Sequence, residues 1–111
     1  MKELLIETLE KLGYEVALQG SMTGTYPDSF ITFFTTDSPE QGFYDGVPHG
    51  TVWNYTVIFY TNNPRLISTV PMEIYKALKA VGFVPQGKGR DIPSDEPTHT
   101  GWANDYLYLE I

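Results

Sequence analysis

Cysteine is absent from the sequence, which excludes disulfide bonds, thiolate metal sites and thiol nucleophiles. No stretch approaches the roughly 18 consecutive apolar residues of a membrane-spanning helix, so we expect no membrane segment. The amphipathic start at Met1, which carries Glu3, Glu7 and Glu10, does not have the apolar centre of a signal peptide. We therefore expect a protein of a reducing cytoplasm that folds without covalent cross-links.

Basic residues are also few compared with acidic ones. The 111 residues carry a formal net charge of −7, which is the wrong sign for a protein that holds nucleic-acid phosphates. Specific binding of DNA or RNA is therefore not expected. A negative surface suits solubility, and it would also let nucleic acid pass without adhering.

Motifs of known catalytic and metal sites are also missing, including GxSxG, HExxH, the phosphate-binding GxxxxGK[ST] loop and the EF-hand pattern. We therefore expect no enzyme activity, no cofactor and no metal. The strongest exception is a group of acidic and imidazole side chains within nine positions, Asp91, Asp95, Glu96 and His99. A small hydrolase or metal-binding enzyme that uses this segment is an alternative to an ordinary solvated loop.

Alternating and helical patterns of apolar residues indicate an α+β fold. Hydrophobic residues make up 41% of the chain and aromatic residues 14%, enough to bury one core. We expect one domain over residues 1–111, with a mixed or antiparallel sheet of about four strands flanked by two helices in the order α-β-β-β-α-β. The expected elements are a helix over 1–12, strands over 14–18, 30–36 and 51–61, a helix from 63 to 82, a short strand at 83–84 and a last strand over 102–111.

The second helix carries a proline inside its apolar repeat. Leu66, Val70, Ile74 and Leu78 keep the spacing of one helical face, but Pro71 removes a backbone hydrogen-bond donor. We expect a kink or break within residues 67–71.

Two further segments have more than one interpretation. Residues 37–50 are expected to form a long loop, a type of segment that often contacts other molecules. On the strand over 51–61, Asn54, Thr56 and Tyr60 share one face, which is either a polar pocket or a solvated or subunit-facing surface. The segment over 87–90, GKGR, is expected to be a turn with two solvated cations.

Three blocks of the sequence together resemble a family of small phage proteins. The blocks are FITFFTTDSPEQGFYDG, TVWNYTVIFYTNNPRLI and GKGRDIPSDEPTHTGWANDYLYLEI. They resemble minor tail proteins of the tail terminator family, also described as tail completion or tail-to-head joining proteins, of long-tailed siphophages and of prophages from Gram-positive bacteria. The resemblance implies a tail-terminator-like α+β subunit that forms a homohexameric ring.

The resemblance also implies a place in the virion and a set of partners. The ring lies on the last ring of the tail tube, stops tube growth and joins the tail to the head. The implied partners are other copies of the chain, the tail tube protein and a head-completion or connector protein, while DNA passes through the lumen without specific binding. The implied location is the host cytoplasm during assembly and then the virion tail.

Two segments are candidates for contacts between subunits or with the tube. The first contributes Gln41, Phe43, Tyr44 and Asp45, and the second contributes Asp95, Glu96, His99 and Trp102. In the simpler interpretation, these aromatic side chains only hold their loops against their own domain. A head-tail connector or adaptor of similar size and acidity is an alternative to the tail terminator.

Overall fold

The α+β class is confirmed by a computed structural model that describes residues 2–18, 28–37, 43–44, 47–48, 51–92 and 98–110. Its helices are α1 (Lys2–Glu10), a 3₁₀ helix (Pro64–Ser68) and α2 (Val70–Ala80). Its strands are β1 (Glu15–Leu18), β2 (Ser29–Asp37), β3 (Phe43–Tyr44), β4 (Val47–Pro48), β5 (Thr51–Thr61), β6 (Val84–Pro85), β7 (Arg90–Ile92) and β8 (Thr100–Glu110). Within these described ranges, no helix is both long and apolar enough to cross a bilayer.

The main sheet is mixed and has six strands, two more than the expected number. Its order is β1-β2-β5-β8-β6, and β7 pairs beside β6 along the same edge of β8. The strands pair in antiparallel fashion except β1 and β2, which run parallel and so do not form a hairpin. Of the two short strands, β6 confirms the short strand expected at 83–84 to within one residue. The other, β7, was not expected, because its three residues are too few for an alternating pattern to reveal it.

The expectation of a long loop over residues 37–50 is wrong for part of that segment. There β3 and β4 pair as a separate two-stranded sheet, with Phe43 opposite Pro48 and Tyr44 opposite Val47. Between Tyr44 and Val47 the sequence reads Asp-Gly, a dipeptide typical of two-residue hairpin connections. This local signal was present in the sequence and favoured a hairpin over an irregular loop.

Both α-helices cover one face of the main sheet. The core between the two layers contains Leu5 and Leu9 from α1, Val70, Ile74 and Leu78 from α2, and Ile31, Phe33, Tyr55, Val57, Phe59, Phe83 and Tyr106 from the sheet side. Alternate residues of β5 point to the other face, where Ile58 and Tyr60 pack with Phe30 and Ala103 in a smaller cluster. The strand predicted over residues 51–61 is thus confirmed, and it has apolar side chains on both faces.

The expected break near Pro71 is confirmed. Asn63 caps the 3₁₀ helix, because its side-chain oxygen accepts a hydrogen bond from the Arg65 amide at 3.2 Å. The 3₁₀ helix ends at Ser68, and α2 begins at Val70 with Pro71 in its first turn. At that position a backbone donor has no partner within the helix, so proline removes nothing there. The break places Ile67 on the 3₁₀ helix and Met72 in the first turn of α2.

Candidate functional site

An apolar groove lies between the start of α2 and strand β8 of the main sheet. Its cavity volume is about 290 Å³. It is lined by Ile67, Ser68, Pro71, Met72, Tyr75, Lys88 and Trp102. Below we refer to these seven residues as the Trp102 groove. Trp102, one of the sequence-predicted interface candidates, is part of its lining.

Hydrogen bonds along β8 hold the sheet side of the groove in place. The Trp102 indole Nε1 donates to the Lys88 carbonyl oxygen at 3.0 Å, and the Asn104 Nδ2 donates to the Gly87 carbonyl oxygen at 2.8 Å. The Gln86 amide donates to the Asp105 carbonyl oxygen, also at 2.8 Å. These three bonds fix the connection between β6 and β7 against β8, so Lys88 and Trp102 have a defined relative position.

Gly89 completes this arrangement because no larger residue fits there. Its φ is 102°, a left-handed conformation that residues with a Cβ rarely adopt. A Cβ at this position would also collide with the Trp102 indole nitrogen and lie 2.7 Å from the Ala103 carbonyl oxygen. The close approach of residue 89 to the indole therefore depends on glycine.

The helix side of the groove comes from residues outside the buried stripe of α2. Met72 is 43% exposed, and Tyr75 is half-buried. The Lys79 ammonium lies 5.8 Å from the centre of the Tyr75 ring, so this wall ends in a positive charge. At about 100° per residue, Glu73 points roughly 160° away from Tyr75 and lies on the opposite flank of the helix.

The charges around the groove are therefore mostly positive. Lys88 contributes to its lining and Lys79 to its helical wall, and both are exposed. An acidic residue is also close: Asp91 on β7 lies directly opposite Trp102 in the β7–β8 pairing. The groove thus combines an apolar surface with ammonium groups at its margin, a combination suited to a partner surface that carries acidic side chains.

The core beneath the groove is closely packed. Val57, Phe59, Ile74 and Tyr106 lie there around a void of only about 10 Å³. Burial raises the pKa of Tyr106 to about 12, although a hydrogen bond with Asn104 acts in the opposite direction. The Tyr106 phenol is therefore uncharged at neutral pH and serves packing and hydrogen bonding.

The structure separates the two described members of the Asp91–His99 group. Asp91 pairs opposite Trp102, so both point to the face of the sheet that carries the helices. The His99 ring instead packs on the other face against Phe30, with ring centres 5.7 Å apart, and its Nδ1 lies 2.9 Å from the Thr98 hydroxyl oxygen. Asp95 and Glu96 lie outside the described residues. Over the described ranges, no three His, Asp or Glu side chains come together as metal ligands would.

The other predicted interface segment is described only in part. Phe43 and Tyr44 form β3, of which the backbone pairing alone is described, whereas Gln41 and Asp45 lie outside the described residues. Whether these residues contact another subunit stays a prediction.

The predicted polar pocket on the second face of β5 is divided between two environments. The Thr56 hydroxyl donates to the Asp105 Oδ1 at 2.7 Å, and the Asp105 Oδ2 pairs with Arg90 at 3.3 Å. Tyr60 instead stacks on Phe30, with ring centres 5.1 Å apart, inside the smaller apolar cluster. Arg90 is thus bound to a carboxylate, which corrects the expectation that both cations of the GKGR segment are simply solvated.

No protein-family model matches the chain, and no curated protein sequence matches it. The geometry and the sequence resemblance are therefore the basis for a functional proposal.

Most residues of the Trp102 groove were not predicted from the sequence. Ile67, Met72 and Tyr75 lie outside the apolar repeat that marks the core face of α2. An exposed Met three residues before a Tyr is a weak sign of a second apolar strip on a helix. Lys88 gave no such sign, because only the β6–β7 connection brings it next to Trp102.

Proposed function

We propose that this chain is a structural tail terminator, a subunit that assembles into a ring at the end of a phage tail tube, stops tube growth and joins the tail to the head. The observation that carries the proposal is where the three resembling blocks fall in the fold. They contain β2, β5 and β8, which are three adjacent strands at the centre of the main sheet. The resemblance thus covers the three central strands of the main sheet together with the segments that adjoin them in the chain.

A ring subunit needs two unlike surfaces, because each copy contacts one neighbour with one surface and the next neighbour with another. The two edges of this domain differ in this way. At one edge, α1 packs beside β1 and presents the exposed carboxylates Glu7 and Glu10. At the other edge lies the Trp102 groove with Lys79 and Lys88. Such a pair of surfaces supports head-to-tail association.

The charge of the chain also supports a structure through which DNA passes. At −7, a ring of such subunits would repel the DNA backbone at its acidic surfaces. Acidic side chains that face a lumen would keep DNA from adhering during packaging and ejection. A ring structure with a basic lumen would contradict this part of the proposal.

Two measurements test the proposal: the mass of the particle that the chain forms and the length of the tail tubes that assemble in its presence. Six copies of the 12.5 kDa chain give a particle of about 75 kDa, which mass photometry resolves from the monomer. Electron microscopy should show tubes of the cognate tail tube protein capped at one end when the chain is present, and tubes of uncontrolled length when it is absent. Monomer alone in solution does not decide the matter, since ring contacts form more readily on a template.

Tubes that grow unchanged in the presence of excess chain would contradict the proposal. Binding to a portal-side complex without any effect on tubes would favour a connector instead. An adjacent gene for a major tail protein would add support, and a genome without neighbouring tail genes would argue against the tail function.

A further inference from the structure

We propose that the Trp102 groove is the receptor half of the subunit contact, and that its occupant is helix α1 of a second copy of this chain. This inference rests on the proposed function, which requires a contact between copies. It adds the surfaces that meet and the chemistry by which they recognise each other.

The positions of the two surfaces fit a head-to-tail arrangement. Helix α1 contacts β1, one edge strand of the sheet, and helix α2 contacts β6 near the other edge. Helices α1 and α2 pack side by side on the same face of the sheet. The groove lies on the flank of α2 that carries Tyr75, next to β8. The exposed side of α1 and the groove are therefore at opposite ends of one helical layer, so copies placed side by side bring them together.

The charges of the two surfaces are complementary. Helix α1 carries exposed carboxylates, whereas the groove has the exposed ammonium groups of Lys79 and Lys88 at its margin and the carboxylate of Asp91 beside Trp102. On α1, Glu3, Glu7 and Glu10 lie on one exposed face at helical spacing. Lys11 is also exposed and pairs with Glu7 at 3.8 Å, but as a surface pair it binds only weakly. Lys79 and Lys88 offer these carboxylates stronger partners beside an apolar surface.

The apolar part of the groove provides the remaining contact area. Met72 is the most exposed of its apolar side chains, and its flexible thioether adapts to an incoming surface. The Trp102 and Tyr75 rings present rigid flat surfaces of the kind that dominate binding energy at interfaces. Docking would cover Met72, which otherwise lies in water.

Cysteine cross-linking tests this contact directly, because the natural chain contains no cysteine. The experiment mixes two single variants, Met72→Cys and Glu7→Cys, under mild oxidation and measures the mixed disulfide dimer. The matched control replaces Met72→Cys with Glu73→Cys, an exposed position on the opposite flank of the same helix. We expect about fivefold more mixed dimer with Met72→Cys than with Glu73→Cys, because a disulfide forms only where the two Cβ atoms come within about 4.5 Å. Equal yields from both positions would overturn the inference.

Charge reversal provides a second, independent measurement. The double variant Lys79→Glu and Lys88→Glu should weaken association by about tenfold or more, and high salt should weaken the natural contact in the same direction. Mixing that variant with Glu7→Lys and Glu10→Lys should restore association between the two chains. If the two variants do not associate when mixed, although circular dichroism shows that both are folded, then α1 is not the occupant.

The outcomes separate this inference from the proposed function. Particles of ring mass and capped tubes without the Met72–Glu7 cross-link would leave the tail function standing and place the subunit contact elsewhere. A strong cross-link together with uncapped tubes would support the contact and contradict the tail function. Loss of binding to tail tubes by the Lys79→Glu and Lys88→Glu variant, with association between copies unchanged, would overturn the inference in favour of a different occupant.

Discussion

Replacing Gly89 by alanine should destabilise the protein more than the same change at Gly87. Both glycines have positive φ, 102° at Gly89 and 126° at Gly87, so alanine is strained at either position. That strain costs about 1–2 kcal/mol, and roughly 0.4–1 kcal/mol returns because alanine restricts the unfolded chain. The two sites differ in their surroundings: a Cβ at Gly87 meets nothing within 4 Å, whereas one at Gly89 meets Trp102 and Ala103.

The collision adds a specific cost at Gly89. If the indole moves away, its hydrogen bond to the Lys88 carbonyl oxygen is lost, which removes about 1 kcal/mol, and its packing contacts loosen. We expect Gly87→Ala to lower the free energy of unfolding by about 1 kcal/mol and Gly89→Ala by about 2–4 kcal/mol. Urea titration followed by tryptophan fluorescence and by far-ultraviolet circular dichroism measures both values. Equal losses at the two positions would refute the reasoning that Trp102 is held against residues 88–89.

Three further predictions concern the core, the tyrosine beneath the groove and the helix cap. Leu78 is fully buried, so Leu78→Ala should lower the free energy of unfolding by about 2–5 kcal/mol. Met72 is exposed, so Met72→Ala should change it by less than about 0.5 kcal/mol. If thermal melts gave similar losses of stability for the two variants, they would contradict the described packing. Burial raises the pKa of Tyr106 to about 12 in the folded chain, against 10.0 in the unfolded chain. The buried neutral phenol therefore contributes its full share to the free energy of unfolding below pH 10, and this share is lost as the pH rises toward 12. Between pH 10 and pH 12 the free energy of unfolding of the natural chain should therefore fall by on the order of 2 kcal/mol more than that of the Tyr106→Phe variant. If the free energies of both proteins fell equally over this range, the prediction would be wrong. Asn63→Ala removes the acceptor for the Arg65 amide and should cost about 0.5–2 kcal/mol, and an unchanged urea midpoint would show that the cap contributes nothing.

The elements predicted well from the sequence are those whose patterns are local and repeated. The eleven residues of β5 are dense in β-branched and aromatic side chains, and their expected bounds, 51–61, agree with the structure. The break before α2 was predictable because Asn63, Pro64 and Pro71 act through their own backbone positions. The Asp-Gly dipeptide before Val47 was an equally local signal, and neglecting it made the expectation of an uninterrupted loop wrong.

Features that depend on pairing between distant segments were not predictable in the same way. The parallel alignment of β1 with β2 leaves no mark on either strand, since the pattern of buried residues is the same for both directions. The Trp102 groove joins residues from the 3₁₀ helix, α2, the β6–β7 connection and β8. Conversely, Asp91 and His99 are close in sequence and point to opposite faces of the sheet, because strand pairing, and not sequence distance, sets their directions.

The edges of the sheet give a physical reason why copies would associate through side chains. An open strand edge is the usual template for backbone pairing between copies. Along the outer edge of β8, the short strands β6 and β7 already pair with residues 106–107 and 101–103. At the opposite edge β1 covers residues 30–33 of β2, and beyond them the pairing of β2 with β5 has an irregularity between Thr35 and Asp37. Such bulges and short edge strands disfavour the addition of a further strand.

Where the sheet edges disfavour backbone pairing, association relies on surface shape and charge. Among the described residues, the Trp102 groove offers both, and α1 at the far end of the same helical layer carries the complementary charge. A contact of this type depends on a few aromatic and charged side chains, so single substitutions should alter assembly without altering the fold. Backbone pairing would behave differently, because it tolerates most changes of side chain. The response of assembly to Lys79→Glu and Lys88→Glu therefore distinguishes the two modes of association as well as testing the groove itself.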